Sequence, residues 1–284
     1  MSELPTLAVT GSTGAVGGLV ARQLAGAAVP IRLLVRTPSR APELDDAPVF
    51  ECSNSDQEAS VAALTGVRTL LMVSASESVD RLDQHRSFVD AAQQAGVQHI
   101  VYTSFVGAAP DAVFTLGRDH YATEEHILAA GLDYTFLRDS FYLDFMPDVV
   151  GDDGVIRGPA GDGRVALVAR ADVARVAATV LQDPGRHRNQ RYDLTGPEAL
   201  SLTEVAATIS QAWGRTITFH HETIEEAYAS RQKWNAPDWQ TAAWVSTYTA
   251  IASGDLARVS EAVETITGQR PLSLAEYLAA DTTR

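Results

Sequence analysis

The sequence predicts an α/β protein in which a doubly wound parallel sheet, with helices on both faces, is followed by a smaller C-terminal subdomain. Three observations support this fold class. Short apolar runs typical of strands alternate with helical patterns through the first half of the chain, as in parallel sheets covered on both faces. A glycine-rich turn stands between the first strand pattern and the first helical pattern. The chain has 284 residues, of which 45% are hydrophobic, so it is long and apolar enough to bury the core of such a fold.

The glycine-rich turn follows an apolar run at 7–10 and precedes apolar residues at helical spacing. Its glycines have the spacing G-x-x-G-x-x-G, in which Gly11 permits a tight turn, Gly14 lets the backbone approach a pyrophosphate and Gly17 lets helix and strand pack closely. The free N–H groups at the start of the helix would hold the phosphates. The motif therefore predicts a Rossmann-type fold and a dinucleotide site formed by Gly11, Ser12, Thr13, Gly14, Ala15, Val16 and Gly17. The alternative is a glycine-rich turn that binds nothing.

The next elements follow from local patterns in order. Apolar runs predict five further strands, at 31–35, 49–52, 69–73, 98–104 and 134–137. The first helix closes at Gly26, and a capping box at 55–58 starts a second helix that ends at Gly66. Two longer helical patterns, at 79–95 and at about 120–130, end at Gly96 and Gly131.

The regular alternation weakens after Arg138. Residues 151–163 contain five glycines and predict a loop and hairpin, whereas 165–168 and 172–181 predict a strand and a helix that return to the main sheet. Three capping boxes start later helices at Ser201–Glu204, Thr223–Glu226 and Ser273–Glu276, and Gly214 and Gly268 stand where helices should stop. We therefore expect an NAD(P)-binding domain at 1–150, completed by 164–183, and a substrate-binding subdomain at 151–284 that covers the carboxyl ends of the strands.

The composition excludes several kinds of partner. The net charge of -14 disfavours nucleic acid and anionic membrane surfaces, because both require cationic neutralisation. The single cysteine, Cys52, permits neither an internal disulfide nor a thiolate metal cluster, and His220-His221-Glu222 does not have the pattern of a metal site. The sequence shows neither a signal peptide nor an apolar stretch of membrane-spanning length, so we expect a cytoplasmic protein. Its oligomeric state stays open, with a homodimer as one option.

Three stretches together resemble a known family. They are 10–18, 96–104, and the run His-x-x-Thr-Glu at 120–124 followed by Tyr-Thr-x-Leu-Arg at 134–138. These motifs resemble the NmrA-like group of atypical short-chain dehydrogenases/reductases, and within it the branch of bacterial NADPH-dependent quinone and triphenylmethane-dye reductases. The resemblance implies a Rossmann core, NADPH as cofactor and a small conjugated or aromatic molecule as hydride acceptor. The alternative is a non-catalytic NADP(H)-sensing regulator, because some NmrA-like proteins bind the nucleotide without turnover.

Two arginines indicate which dinucleotide is bound. Arg36 directly follows the second strand, and Arg40 lies four residues later, near the place where NAD-selective enzymes carry an acidic residue. A guanidinium there suits the 2′-phosphate of NADP(H), with Ser12 as a further hydroxyl donor. We therefore favour NADPH. The alternative is a pair of solvated arginines with Asp45 and Asp46 as salt-bridge partners.

The remaining cofactor contacts are predicted from the carboxyl ends of the strands. Ser53 occupies a place where many members of the resembled family have an aspartate against the adenine, and Asn54 is a substitute for it. We expect four residues at the ends of the fourth and fifth strands to face the ribose and nicotinamide: Val73, Ser74, Thr103 and Ser104. The alternative for each is an ordinary strand end.

The catalytic residues are predicted by position. Short-chain dehydrogenases use Tyr-x-x-x-Lys, but Tyr121 is followed by Glu125, which would raise rather than lower the tyrosine pKa. Some members of the resembled family carry a lysine fourteen residues before their Tyr-Thr pair, and here that position is His120. His120 would bond the ribose or protonate the reduced substrate. The alternative is a histidine that caps a helix start.

Aromatic residues are the candidates for the acceptor pocket. Phe141 and Tyr142, just after the sixth strand, are expected to wall the nicotinamide pocket, with Tyr142 as a catalytic candidate. Four later aromatics would stack on a flat acceptor or form a packed helical face: Trp234, Trp239, Trp244 and Tyr248. A quinone accepts hydride with little need for a strong acid, because the resulting oxyanion is delocalised.

Overall fold

The computed structural model describes residues 4–53 and 55–280. The strands are β1 (Leu7–Thr10), β2 (Arg32–Val35), β3 (Val49–Glu51), β4 (Thr69–Met72), β5 (His99–Phe105), β6 (Asp133–Asp139), β7 (Val155–Gly158), β8 (Arg164–Val165), β9 (Gln190–Leu194), β10 (Leu200–Ser201) and β11 (Thr218–His221). The α-helices are α1 (Ala15–Gly26), α2 (Gln57–Leu64), α3 (Arg81–Gln94), α4 (Thr115–Ala129), α5 (Arg170–Gln182), α6 (Leu202–Trp213), α7 (Ile224–Arg231), α8 (Asp238–Ser253), α9 (Ala262–Thr267) and α10 (Leu274–Ala280).

The main sheet has seven strands in the order β3-β2-β1-β4-β5-β6-β9. Its pairs β2–β3, β1–β2, β1–β4 and β4–β5 are parallel. The order reverses between β1 and β4, and Ala8 of β1 is in register with Arg32 on one side and Leu70 on the other. This topology confirms the predicted doubly wound Rossmann-type sheet, whose ligands bind at the carboxyl ends of the strands near the reversal.

The chain divides into two compact units. Unit 1 comprises Met1–Ser104, Asp119–Arg138 and Ala171–Tyr192, and unit 2 comprises Phe105–Arg118, Asp139–Arg170 and Asp193–Arg284. Each unit has its own apolar core: Leu70, Phe88 and Phe136 are buried in unit 1, and Ile156 and Ile209 in unit 2. No helix among the described residues combines the length and the apolar character needed to cross a membrane.

Helix α1 lies unusually close to β1 because Gly17 has no side chain. A Cβ on Gly17 would lie 2.4 Å from the carbonyl oxygen of Gly11 and 2.6 Å from that of Thr10. Gly11 itself has a φ of +63°, in the left-handed region that favours glycine. The strand, the turn and the helix therefore have one fixed arrangement, which accounts for two of the three glycines in the motif.

A buried arginine ties the start of β2 to its surroundings. Arg32 is 1% exposed, and its guanidinium donates to the carbonyl oxygens of Pro5, Ala63 and Thr65 at 2.8–3.0 Å. The last two carbonyls lie at the C-terminus of α2, where a cation is favoured by the helix dipole. The guanidinium also lies 5.1 Å from the ring centroid of Phe50. Arg32 thus joins three elements of unit 1.

Most predicted helix ends are confirmed. The capping boxes at Ser201–Glu204 and Thr223–Glu226 start α6 and α7, and that at Ser273–Glu276 starts α10. Gly214 and Gly268 adopt the left-handed conformation after α6 and α9.

Two predicted helix starts were wrong. The N-cap of α2 is Asp56, whose carboxylate accepts the Ala59 N–H at 3.0 Å, rather than Ser55, whose hydroxyl bonds that of Ser53. Helix α4 begins at Thr115, five residues before His120, and includes Gly117 in its first turn. His120 is therefore not a helix-start capping residue.

The predicted hairpin within 151–163 was also wrong. Strand β7 pairs in parallel with β11, which follows it by about sixty residues, in a separate two-stranded sheet. Strand β8 pairs with β10 instead of returning to the main sheet, whose edge is formed by β9. Both outcomes depend on partners distant in sequence, which local patterns do not reveal.

Candidate functional site

The glycine loop ends in an open turn at the start of α1. Thr13, Gly14 and Ala15 are exposed, and the Gly14 N–H donates to the Gly11 carbonyl at 2.8 Å. A Cβ on Gly14 would have only the Gly11 carbonyl oxygen nearby, at 3.3 Å. The protein itself therefore leaves space beside Gly14, in contrast to Gly17.

Ser12 provides an unsatisfied hydroxyl in this loop. The residue is 2% exposed, and its Oγ has no hydrogen-bond partner among the described residues. A buried hydroxyl without a partner is costly in a folded protein. An incoming phosphate oxygen would satisfy it.

Two exposed arginines follow β2. Within the described part of the chain, neither Arg36 nor Arg40 forms a salt bridge, so the alternative pairing with Asp45 and Asp46 is absent there. Their guanidinium groups are available for an anion. Ser53 follows the neighbouring strand β3 and bonds the Ser55 hydroxyl at 2.9 Å, whereas Asn54 lies outside the described residues.

The carboxyl ends of β1, β4 and β5 are joined by side-chain hydrogen bonds. The Val73 N–H donates to the hydroxyl of Thr10, and the Ser74 N–H donates to that of Thr103, both at 2.8 Å. Val73 also lies against Gly11, where an added Cβ would be 3.0 Å from the valine Cβ. The structure thus brings Gly11, Val73, Ser74 and Thr103 together at the carboxyl ends of these strands; that they face the ribose and nicotinamide stays a prediction.

Ser104 points to a buried ion pair. Its hydroxyl donates to Oε1 of Glu124 at 2.6 Å, and Glu124 is 1% exposed. Arg138 donates to both oxygens of the same carboxylate, at 2.9 and 2.6 Å. This bidentate geometry is the strong form of an arginine–carboxylate pair. The ion pair joins α4 to β6.

His120 is buried in a hydrogen-bonded network of unit 1. Arg81 donates from Nη2 to His120 Nε2 at 3.0 Å, and His120 Nδ1 lies 3.0 Å from the hydroxyl of Tyr102. Arg81 also donates to the carboxylate of Asp119 and to the carbonyl of Ala75. Because arginine has only donors, Nε2 of His120 is an acceptor, and the neutral ring carries its proton on Nδ1.

A second histidine continues the network. The N–H of Ala75 donates to Nε2 of His85 at 2.8 Å, so His85 carries its proton on Nδ1 and donates to the Thr123 hydroxyl at 2.9 Å. Thr123 in turn donates to the backbone carbonyl of Asp119 at 2.7 Å. The network therefore fixes both the segment that follows β4 and the adjoining face of α4.

Burial keeps both histidines neutral. Desolvation and the nearby charge of Arg81 lower the pKa of His85 to about 3, and desolvation, Arg81 and His85 lower the pKa of His120 well below its ordinary value. Desolvation raises the pKa of Tyr102 well above its ordinary value. His120 in this environment suits a fixed hydrogen-bonding role better than that of a general acid.

Unit 2 carries an aromatic cluster that includes Phe141. The rings of Phe105, Phe114 and Phe141 lie 4.7–5.1 Å apart, centroid to centroid. Phe105 is almost fully buried, whereas Phe114 and Phe141 are partly exposed. The exposed part of the cluster can stack on a flat molecule.

Tyr142 follows directly and has polar and cationic neighbours in unit 2. Its hydroxyl lies 2.7 Å from Oδ2 of Asp139, and the Arg170 guanidinium lies 5.1 Å from its ring centroid. The same guanidinium lies 4.1 Å from the ring of Phe145, which is 46% exposed. The segment is held by the Leu143 N–H, which donates to the Val168 carbonyl at 3.0 Å.

The later aromatics are divided between surface and core. Trp234 is 56% exposed, with Lys233 over its ring and Trp244 edge-on to it. Tyr248 packs over Gly158, where a Cβ would lie 2.1 Å from its ring. Tyr248 is therefore a packing residue.

Sequence reasoning missed Arg81, Asp139 and the two phenylalanines that join Phe141. Arg81 begins a helix far from His120 in the chain, and no local pattern links the two. Asp139 could have been noticed as a carboxylate that continues an apolar strand.

The glycine loop, the Rossmann-type sheet and the unsatisfied Ser12 hydroxyl define a dinucleotide-binding protein. Residues 11–184 match the NAD(P)H-binding family, and the chain belongs to that family. Its cofactor is NAD(P)H.

Relatives extend the likeness over the full chain. NAD(P)H azoreductase of Xenophilus azovorans is 32% identical over 96% of this chain and 96% of its own length. The structure of quinone oxidoreductase 2 of Escherichia coli, complexed with NADPH, has a TM-score of 0.88 and 32% identity, and the match covers 96% of this chain and 98% of that one. Triphenylmethane reductase of Citrobacter sp., complexed with NADP(H), has a TM-score of 0.83 and 31% identity over 96% and 98% of the two chains. These relatives confirm the resemblance to the quinone and triphenylmethane-dye reductases of the NmrA-like group. The regulator NmrA shares the fold, with 19% identity over 98% of this chain and 96% of that one, and a TM-score of 0.76.

The residues of the loop fit the phosphates of such a cofactor. Three observations support this fit. The Ser12 hydroxyl has no partner in the described ranges, the space beside Gly14 is open, and α1 starts with neither a side-chain cap nor an acidic residue in its first turn. These features favour an anion at the helix N-terminus.

Alanine at Gly14 and at Gly17 should have opposite effects. We expect Gly14→Ala to keep the wild-type melting temperature and to lose at least about tenfold in NADPH affinity, because its methyl group occupies the space meant for the pyrophosphate. Gly17→Ala should lower the melting temperature by several degrees, because its Cβ meets backbone oxygen. Calorimetric titration and thermal unfolding measure both. Wild-type NADPH affinity in a folded Gly14→Ala variant would contradict this position for the phosphates.

His120 should remain neutral across the working pH range. We expect nitrogen NMR to show the Nδ1–H tautomer unchanged from about pH 5 to pH 8, because burial and Arg81 oppose protonation. The His120→Ala variant assigns the signal. The single-turnover rate of this variant and its affinity for NADPH should both be lower than in the wild type. The pH dependence of the rate should be unchanged. A wild-type rate that falls as pH rises through a histidine pKa, and loses this dependence in the variant, would instead make His120 a general acid.

Proposed function

We propose that this protein is an NADPH-dependent reductase that passes a hydride to a quinone, an azo compound or a similar conjugated aromatic acceptor. The observation that carries the proposal is the 32% identity, over 96% of the chain, to an NAD(P)H azoreductase and to a quinone oxidoreductase. Reductases of other aromatic substrates would share the same cofactor site. The experiment must therefore identify the class of acceptor.

The residues of unit 1 would hold the cofactor. The backbone from Gly11 to Gly17 would bind the pyrophosphate, the Ser12 hydroxyl would bind a phosphate oxygen, and Ser53 would lie at the adenine end. Val73, Ser74 and Thr103 would line the ribose and nicotinamide end, whereas the hydroxyl of Ser104 is turned to Glu124 instead. His120 is fixed by Arg81 and Tyr102. When bound, NADPH supplies a hydride to the acceptor. The protein contributes orientation and exclusion of water.

Arg36 and Arg40 account for the preference for NADPH over NADH. Both are exposed and without a salt-bridge partner within the described ranges, at the end of β2. A 2′-phosphate would accept charge-assisted hydrogen bonds from these groups. The ribose hydroxyl of NADH offers no comparable charge.

Unit 2 would supply the groups that hold the acceptor. Phe141, supported by Phe105 and Phe114, provides an apolar face for a planar ring system, and Tyr142 provides a polar group next to it. Aromatic faces of this kind stack on flat conjugated molecules. The oligomeric state stays open, with a homodimer as one option, and the cytoplasmic location stays a prediction.

An acceptor panel tests the reaction. We expect NADPH absorbance to fall when the protein is mixed with quinones, azo dyes or cationic triphenylmethane dyes, since all three accept hydride. A nucleotide-sensing regulator would bind NADPH in calorimetry and oxidise it with none of these. Binding without turnover across the panel, with enones and imines included, would overturn the proposed reaction in favour of the regulator.

Arg36→Ala should separate the two cofactors. Loss of one charge-assisted contact should weaken NADPH binding by about 1.5–3 kcal/mol, roughly ten- to a hundredfold, and leave NADH nearly unchanged. Arg68→Ala, which changes another exposed arginine of unit 1, is the matched control. Titration calorimetry with both cofactors gives the answer, and equal losses for NADPH and NADH would show that Arg36 does not bind the 2′-phosphate.

A further inference from the structure

The last residue of β6 is a buried carboxyl group with no cationic partner among the described residues. Asp139 is 3% exposed, and Tyr142 is its hydrogen-bonding partner, with 2.7 Å between Tyr142 Oη and Asp139 Oδ2. The other oxygen, Oδ1, is buried and has no hydrogen-bond partner among the described residues. The adjacent Ser140 hydroxyl is likewise buried and unsatisfied there. An ionised carboxylate is poorly stabilised by such surroundings.

The surroundings of Asp139 favour its neutral acid form. Burial raises the pKa of Asp139 to about 8, with the hydrogen bond from Tyr142 as a smaller opposing effect. The charged groups facing the pair in unit 2 are Arg170, over the tyrosine ring, and Asp144, which accepts the Arg170 backbone N–H at 2.9 Å. Burial and Asp139 raise the pKa of Tyr142 well above its ordinary value, so this phenol stays protonated as well.

A neutral Asp139 changes the direction of the hydrogen bond to Tyr142. Once Oδ2 carries a proton, it can donate to Tyr142 Oη across the same 2.7 Å. The tyrosine hydroxyl then has its own proton to donate to another acceptor. The pair can therefore act as a two-step proton relay, in which the carboxyl group of Asp139 replaces the proton that the phenol of Tyr142 gives up.

We propose that Tyr142 protonates the acceptor during reduction and that Asp139 acts through Tyr142 as the positioning residue and proton reserve. This inference rests on the proposed reductase function. It specifies which acceptors require Asp139 and Tyr142 for their reduction.

The proton and electron balance is complete for an azo acceptor. One nitrogen of the N=N group receives a hydride, with its electron pair, from the reduced nicotinamide, and the N=N π bond breaks. The other nitrogen takes the proton of Tyr142 Oη, forming the second N–H bond of a hydrazo product. The Asp139 Oδ2 proton moves to Tyr142 Oη, and the resulting carboxylate recovers a proton from solvent.

Three acceptors need this proton to different extents. The nitrogen anion left by hydride addition to an azo group is strongly basic, so it must be protonated as it forms. A quinone gives a delocalised phenolate, which needs a donor less. A cationic triphenylmethane dye becomes a neutral product on gaining hydride and needs no proton. The dye rate therefore reports hydride transfer without the relay.

The test compares azo and dye reduction in Asp139→Asn, Tyr142→Phe and the wild type. We expect the ratio of azo to dye kcat to fall about a hundredfold or more in both variants, with quinones between the two. In the wild type, azo kcat should fall as pH rises through about 8, because the acid form is lost, and this fall should disappear in Asp139→Asn. Asp152→Asn removes a carboxylate from an exposed position of the same unit and should leave the ratio unchanged.

Two measurements without turnover check the protonation state. Infrared difference spectra of the wild type against Asp139→Asn should show a carboxylic acid C=O band at neutral pH that weakens as pH rises through about 8. The unfolded state releases this proton near pH 4. The wild-type free energy of unfolding should therefore contain a part that declines between about pH 4 and pH 8 and is missing in the variant.

The outcomes separate the two proposals. An azo-to-dye ratio that is unchanged in both variants, or a carboxylate band without an acid band at neutral pH, would overturn the relay while the reductase stands. A wild-type protein that reduces no acceptor of the panel would overturn the reductase and the relay together.

Discussion

The close approach of α1 to β1 is the constraint on which the cofactor site depends. It exists because position 17 has no Cβ, and the helix can then start directly beside the carbonyls of Thr10 and Gly11. Beside this contact, the Ser12 hydroxyl is buried with no partner among the residues that the structure describes, and the start of the helix is open. One contact thus serves packing and, in the proposed function, binding: the helix that completes the core would also present its positive end to the phosphates.

A polar network behind the strand ends fixes the rest of unit 1. The motif His-x-x-Thr-Glu, which marks the family likeness, is explained by its contacts: His120 bonds Arg81 and Tyr102, Thr123 bonds His85, and Glu124 pairs with Arg138. Buried polar groups must be satisfied, and here they satisfy one another. The residues that best identify the family therefore act through structure: they hold α4 and the loop after β4 in place.

Two buried carboxyl groups show how environment divides chemical roles. Glu124 is held by an arginine and a serine, so its charge is compensated and its position is fixed. Within the described part of the chain, Asp139 has a tyrosine partner and no cationic one, so burial favours its neutral form. The first group is structural, and the second carries a proton that can be given away. Enzymes commonly give two carboxyl groups different chemical roles by placing them in contrasting surroundings.

The sequence by itself determined the features that depend on neighbours in the chain. The glycine loop, the first six strands and three later capping boxes were predictable because turn geometry, apolar periodicity and capping act within a few residues. The start of α4, the pairing of β7 with β11 and the edge position of β9 were decided by partners far along the chain. The same is true of the site: Gly11, Val73 and Thr103 could be placed from the strand ends, whereas the bond between His120 and Arg81 and the burial of Asp139 could not. A side chain's protonation depends on which groups surround it in space, and only the folded chain brings those groups together.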